Sequence, residues 1–229
     1  MIQEYFRTVL AAGTVTLALA FVSIALATAF GLLGAICKLS PDRRVVWLAT
    51  MYTTVVRGIP DLVIMFMVFY SLPGLVNQVL TALGSDASFE LNPFVAGSLT
   101  LGLIFGAYMT ETFRGALLRI PRGQAEAGYA YGMTAPQVYR RILLPQMVRL
   151  AIPGFTNNWL VLVKGTALVS LIGLHDLMFR ARGAAEATRE PFTFYVLAGA
   201  FYLAVTIVSL AALHWIGRRF SAGTREVRG

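Results

Sequence analysis

The sequence predicts an all-α membrane protein with five transmembrane helices. Two observations carry this. The 229 residues are 57% hydrophobic and only 13% charged, with a mean hydropathy of +0.70. The charges also collect between long uncharged runs, several of them near or above the ~20 residues that a bilayer requires.

The first span covers about Val9–Cys37. It holds no charged residue and exceeds the length needed to cross, so it tilts or extends beyond the bilayer. A cleaved signal peptide is the competing reading. The apolar run is too long for one, and acidic Glu4 precedes it, so a retained span is expected. Lys38, Asp42, Arg43 and Arg44 follow. Val45–Val56 is apolar, and Arg57-Gly58-Ile59-Pro60 interrupts it. Pro60 favours a kink or a helix start. Leu62–Leu80 forms the second span, with Pro73-Gly74 loosening its far end. The polar loop Thr81–Asn92 leads into the third span, Pro93–Ala116. There Ser98, Gly102, Gly106 and Thr110 recur every four residues, a stripe that lets a neighbouring helix come close, with a role in permeation as the alternative. The fourth span is read over Pro153–Leu174. A mixed-charge segment, Leu174–Glu190, separates it from the fifth, Phe192–Ile216.

Five spans put the termini on opposite sides. Lys38, Arg43, Arg44, Arg114, Arg119, Arg122, Arg140, Arg141, Arg149, Arg218, Arg219, Arg225 and Arg228 then share one side. The other side has Arg7, Arg180, Arg182 and Arg189. By the positive-inside rule the N-terminus is outside and the C-terminus cytoplasmic. The net charge of +8 is thus a topology signal, and no nucleic-acid partner is expected. Cys37, the single cysteine, excludes an intrachain disulfide and reads as a packing residue. His175 and His214 stand far apart with no cysteine companions, so no metal site is expected.

The most informative stretch between spans is Ile120–Pro145. Gly123–Tyr131 is rich in alanine and closes at Gly132, a helix-stopping position. Thr134-Ala135-Pro136-Gln137 has the form of a capping box, and the helix it opens is expected to end toward Pro145. The small side chains of Ala125, Ala127, Gly128 and Ala130 let another protein approach the first helix closely. A plain linker between spans is the alternative.

Glu126-Ala127-Gly128, then Gly132, then Ile142-x-Leu144-Pro145 resemble the EAA motif of ABC-importer permeases. That motif reads E-A-A, three residues, G, nine residues, I-x-L-P. The spacing matches throughout, and Gly128 departs from the third Ala. Arg57–Tyr70, Ala107–Leu117 and Leu144–Leu174 resemble the polar amino-acid branch, above all the subunits importing histidine, lysine, arginine and ornithine, or octopine and nopaline. The resemblance covers nearly the whole chain. It implies a permease of the type I ABC importer kind, with residues 1–229 as one transmembrane domain and 120–145 as a cytoplasmic coupling loop. Gln124, Ala125, Glu126, Ala127, Gly128 and Gly132 would contact the ATPase. It further implies a bacterial inner-membrane location and import of polar, basic amino acids or opines. The implied partners are two ATPase subunits, a solute-binding protein outside, and a second permease, either a homologue or another copy of this chain.

Ionisable groups within spans cost roughly 2.5–3.5 kcal/mol each and need a reason to be there. Asp61 and Arg57 flank the Gly58-Pro60 break; they pair at the interface, or lie deeper facing a cavity. Tyr108, Glu111 and Arg114 share a helical face, and Glu111 and Arg114 suit either an ion pair or a substrate or gating role. Asn157 and Lys164 share a face of the fourth span, with Asn158 nearby. They line a path or glue helices together, and Lys164 either faces a wet cavity or pairs with a carboxylate. Membrane lipid is expected around the spans.

The sequence has no phosphate-binding G-x-x-x-x-G-K-[ST] loop, and no catalytic residues or cofactor are assigned to this chain. If it pumps, its energy comes from a partner that binds ATP and Mg, or from an ion gradient. A transporter or channel working without an ATPase is therefore the alternative, disfavoured by the lack of an inverted repeat.

Overall fold

In a computed structural model, the described residues are 2–221. Helices, joined by short links and one longer loop, account for nearly all of them. Five are long and apolar enough to cross a membrane. Arg225 and Arg228 of the predicted basic tail lie outside the described residues.

Helix α1, Ile2–Lys38, starts well before the expected Val9. Asp42 caps α2, Arg43–Gly58, by accepting a hydrogen bond from the Arg44 N–H at 2.8 Å. Ile59 is extended, as a residue before proline should be. The second span therefore does not reach back to Val45. It begins at Asp61, as α3, Asp61–Ala82.

Two sequence expectations fail for one reason. Pro73-Gly74 does not loosen α3, and Pro145 does not end the helix that Thr134 opens. That helix, α6, runs on from Ala135 to Ile172. In both helices a single π-turn precedes a Leu-Pro pair: Met67–Ser71 before Leu72-Pro73, and Tyr139–Leu143 before Leu144-Pro145. A proline lacks the N–H and crowds the carbonyl one turn back. The wider π-turn shifts that carbonyl and gives the leucine N–H a partner five residues earlier, Leu72 to Met67 and Leu144 to Tyr139. The fourth span thus begins well before Pro153, which sits inside it.

Helix α4, Pro93–Leu118, is the centre of the bundle. It packs side by side and parallel with α1. The predicted small-residue stripe makes this possible: a Cβ added at Gly102 would lie 2.7 Å from Leu26 Cβ, and one at Gly106 2.7 Å from Phe30 Cβ. Helix α1 replies in kind, with Gly31 against Met109 and Gly34 against Thr110. The stripe is a helix-packing surface. After α4 come α5, Arg122–Ala130, and then α6.

The segment read only as mixed charge is a helix, α7, Leu177–Thr188. Leu177, Ala181, Ala184 and Ala185 are buried with Val9 of α1 and with Phe194 and Ala198 of α8, Pro191–Ser221. Asp176 caps α7 through a 2.9 Å bond from the Phe179 N–H, and the Leu177 N–H donates to Thr16 of α1 at 3.1 Å. Asp176 is fully buried, with its Oδ2 unpartnered among the described residues. Burial pushes its carboxyl up to about 6, against the opposing pull of the Phe179 and Met178 N–H groups.

A candidate coupling helix and a cationic cavity

Helix α5 leaves α4 through the short link Arg119–Pro121. Its end is a glycine stop. Gly132 has φ +76, the Met133 N–H donates to the Gly128 carbonyl at 3.1 Å, and the Gly132 N–H donates to that of Tyr129 at 2.9 Å. The capping box then opens α6, with the Thr134 N–H donating to Gln137 Oε1 at 2.9 Å. The two signals back to back produce the elbow.

The elbow folds α5 onto the start of α6 and sorts the predicted coupling residues. Gly128 faces inward, where an added Cβ would meet Ile142 and Val138. It is the one buried residue of α5. Ala125 is half-buried, while Gln124, Glu126, Ala127 and Gly132 are exposed. Two aromatic residues that sequence reasoning passed over stand out beside them, Tyr129 at 52% and Tyr131 at 88% exposure. The result is a short helix outside the spans with small, acidic and aromatic groups on an open face. Tyrosines at such a place are suited to a protein interface.

At the same end of the bundle, Glu111 of α4 is held by two cations. Lys38, the last residue of α1, pairs with Glu111 Oε1 and donates to Thr53 Oγ1 at 2.6 Å. Arg114 Nε lies 3.1 Å from Oε2. The Glu111–Arg114 pair expected from spacing is present. Lys38, seventy-three positions away from Glu111 in the chain, gave no local signal of its role. Arg57 does not pair with Asp61; its guanidinium lies 5.0 Å from the centre of the Tyr108 ring. Lys38, Thr53, Thr54, Arg57, Gly58, Tyr108 and Glu111 line an open cavity of about 490 Å³.

The remaining polar candidates lie elsewhere. Asn158 is buried and donates to Thr112 Oγ1 of α4 at 3.1 Å, a bond between spans. Its neighbour Asn157 is exposed, as is Lys164. Because α6 begins so early, Lys164 sits about two turns before Ile172 instead of at mid-span. It forms no ion pair among the described residues, and neither does the half-buried Asp61.

Five packed spans, an external helix between the third and fourth, and a charged cavity at that helix's end define a permease subunit of an ABC importer. Such a subunit conducts solute and leaves ATP hydrolysis to a partner. The chain belongs to the family described as binding-protein-dependent transport system inner membrane components, which residues 27–222 match. It is 45% identical over 226 residues to the histidine/lysine/arginine/ornithine transport system permease protein HisQ of Escherichia coli (strain K12), covering 99% of both chains. It is 40% identical over 221 residues to the octopine transport system permease protein OccQ of Agrobacterium tumefaciens (strain Ach5), covering 96% of this chain and 90% of that one. Its fold superposes with a TM-score of 0.79 on a chain of an amino acid ABC transporter crystallised with histidines. That chain is 27% identical, with coverage of 94% and 95%. Like its family, it is an inner-membrane protein that works with an ATPase and a binding protein.

Proposed function

We propose that this subunit forms half of an import path for polar, basic amino acids or opines, and that α5 couples it to the ATPase. The substrate class rests on the HisQ and OccQ relatives. The coupling role rests on one observation: the open face of α5 is uncovered, while its two ends continue into α4 and α6. Glu126, Ala127 and the two tyrosines enter a groove of the ATPase, and movement of α5 is passed to both spans. ATP and Mg are bound by the ATPase, present in two copies, and a second permease completes the path. The N-terminus faces outside and α5 the cytoplasm, following the arginine-rich side. Arg57, Tyr108, Asp61, Asn157 and Lys164 line the way through, with Glu111 and Arg114 locked as a pair.

Cysteine cross-linking at Ala127, in a Cys37→Ala background, tests the coupling role. A cross-link to the co-expressed ATPase whose yield changes with ATP is the expected result. None at Ala127 or its exposed neighbours, with both proteins present and folded, overturns it. Glu126→Lys is expected to reduce ATP-coupled uptake and leave insertion intact.

A further inference from the structure

The cavity beside Lys38 contains more positive charge than its own chain neutralises. Lys38 and Arg57 line it with a single acid, Glu111, which pairs with Lys38 and with Arg114 beside the cavity. Lys38 takes one of its oxygens and Arg114 the other. The guanidinium of Arg57 is left over. It rests on the Tyr108 ring, and no carboxylate among the described residues pairs with it. Thr54, an exposed residue, lines the same space, and Gly58 adds no bulk there. A cationic side chain is repelled by such a surface. A carboxylate is drawn to it, and the planar guanidinium fork matches a carboxylate with two parallel hydrogen bonds.

We infer that Arg57, held by Tyr108 and assisted by Thr54, is the receptor for the substrate's α-carboxylate. The corollary is that the basic side chain is recognised elsewhere, since the one acid in this cavity is already spent. The inference rests on the import reading above and narrows it: this cavity reads what all amino acids share. Tyr108 acts as a positioning residue, fixing the plane of the guanidinium.

The test uses the purified complex of this chain with its second permease and ATPase, without binding protein, so that no upstream receptor sorts the ligands. Binding of radiolabelled L-arginine is measured to millimolar concentration, with argininamide, agmatine and inorganic phosphate as competitors. The complex is expected to prefer arginine over the two carboxylate-free analogues by about tenfold or more, as fits loss of a charge-assisted pair. Arg57→Gln should bring arginine down to the level of argininamide, Arg57→Lys should retain part of the preference, and Thr54→Val should weaken it less. An unchanged acid-to-amide ratio in Arg57→Gln overturns the inference. So does absence of arginine binding by the wild type, or competition by phosphate equal to that by arginine. If Arg57→Gln does not fold, Arg57→Lys and Thr54→Val decide on the same ratio. The import reading fails separately, if the complete transporter with its binding protein shows no ATP-driven uptake of any labelled amino acid or opine.

Discussion

Helices α4 and α8 are both membrane spans, and they differ in the opposite sense from helices of a water-soluble protein. In α4, 67% of the most apolar stretch is buried; in α8, 6% is. Yet α8 has the higher hydropathy, 2.3 against 1.4. In water the most apolar helix goes inside. In a bilayer the tails solvate apolar side chains as well as a protein core does, so the most apolar helix can stay outside. What selects the centre is the ability to approach closely. Helix α4 has Gly97, Gly102 and Gly106 in contact with neighbours, whereas an added Cβ at Gly199 of α8 would meet nothing within 4 Å.

The largest effect that could break this comparison is bulk at the α1–α4 seam. At Gly31 a Cβ would land on the Met109 Cβ and crowd its backbone carbon, atoms that cannot swing aside. Gly31→Leu should cost upwards of the 1–3 kcal/mol typical of overpacking, read as loss of the monodisperse complex or a large fall in Tm. Acidity should matter next, at the α1–α7 junction. The Asp176 carboxyl titrates near 6 when folded and near 3.8 when exposed. The folded state therefore holds the proton more tightly, and this group's contribution to stability is greatest below pH 4. Between pH 4 and 6 up to roughly 3 kcal/mol is lost as the buried group ionises. Thermal unfolding across that range should show the decline, and Asp176→Asn should flatten it. Asn158→Ala removes the bonds from α6 to Thr112 Oγ1 and the Met109 sulfur of α4 and should cost about 0.6–1.7 kcal/mol, measurable as a modest shift in Tm. The smallest effect is expected from Gly199→Leu, which should leave Tm unchanged or slightly raised, since leucine favours a helix more than glycine does. A loss comparable to that of Gly31→Leu would break the comparison.

The two parts of the site were legible to different degrees. The external helix α5 is written locally: Gly132 stops one helix, Thr134 and Gln137 start the next, and all three lie within six residues. The cavity is not. Glu111 and Arg114 share a face by spacing, but Lys38 reaches Glu111 only because α1 runs parallel to α4, and Arg57 finds Tyr108 only because α2 ends beside it. The prolines misled for a physical reason. A helix can widen by one residue to accommodate a proline, and nothing in the residues before Pro73 or Pro145 shows that it will. Helix α7 had a signal that charge obscured, the apolar face of Leu177, Ala181, Ala184 and Ala185 behind an aspartate cap.

By itself, the sequence determined that the chain is helical, that it has five spans able to cross the bilayer, and where the external helix begins and ends. These follow from hydropathy, proline, glycine and capping side chains, whose effects reach no further than a turn or two. Which spans lie at the centre, which acid is spent on which base, and which arginine is left facing an open cavity were decided only by the tertiary structure. Those outcomes depend on close approach and on charges meeting across distant parts of the chain, and the energy of both is set by packing geometry that no single segment contains.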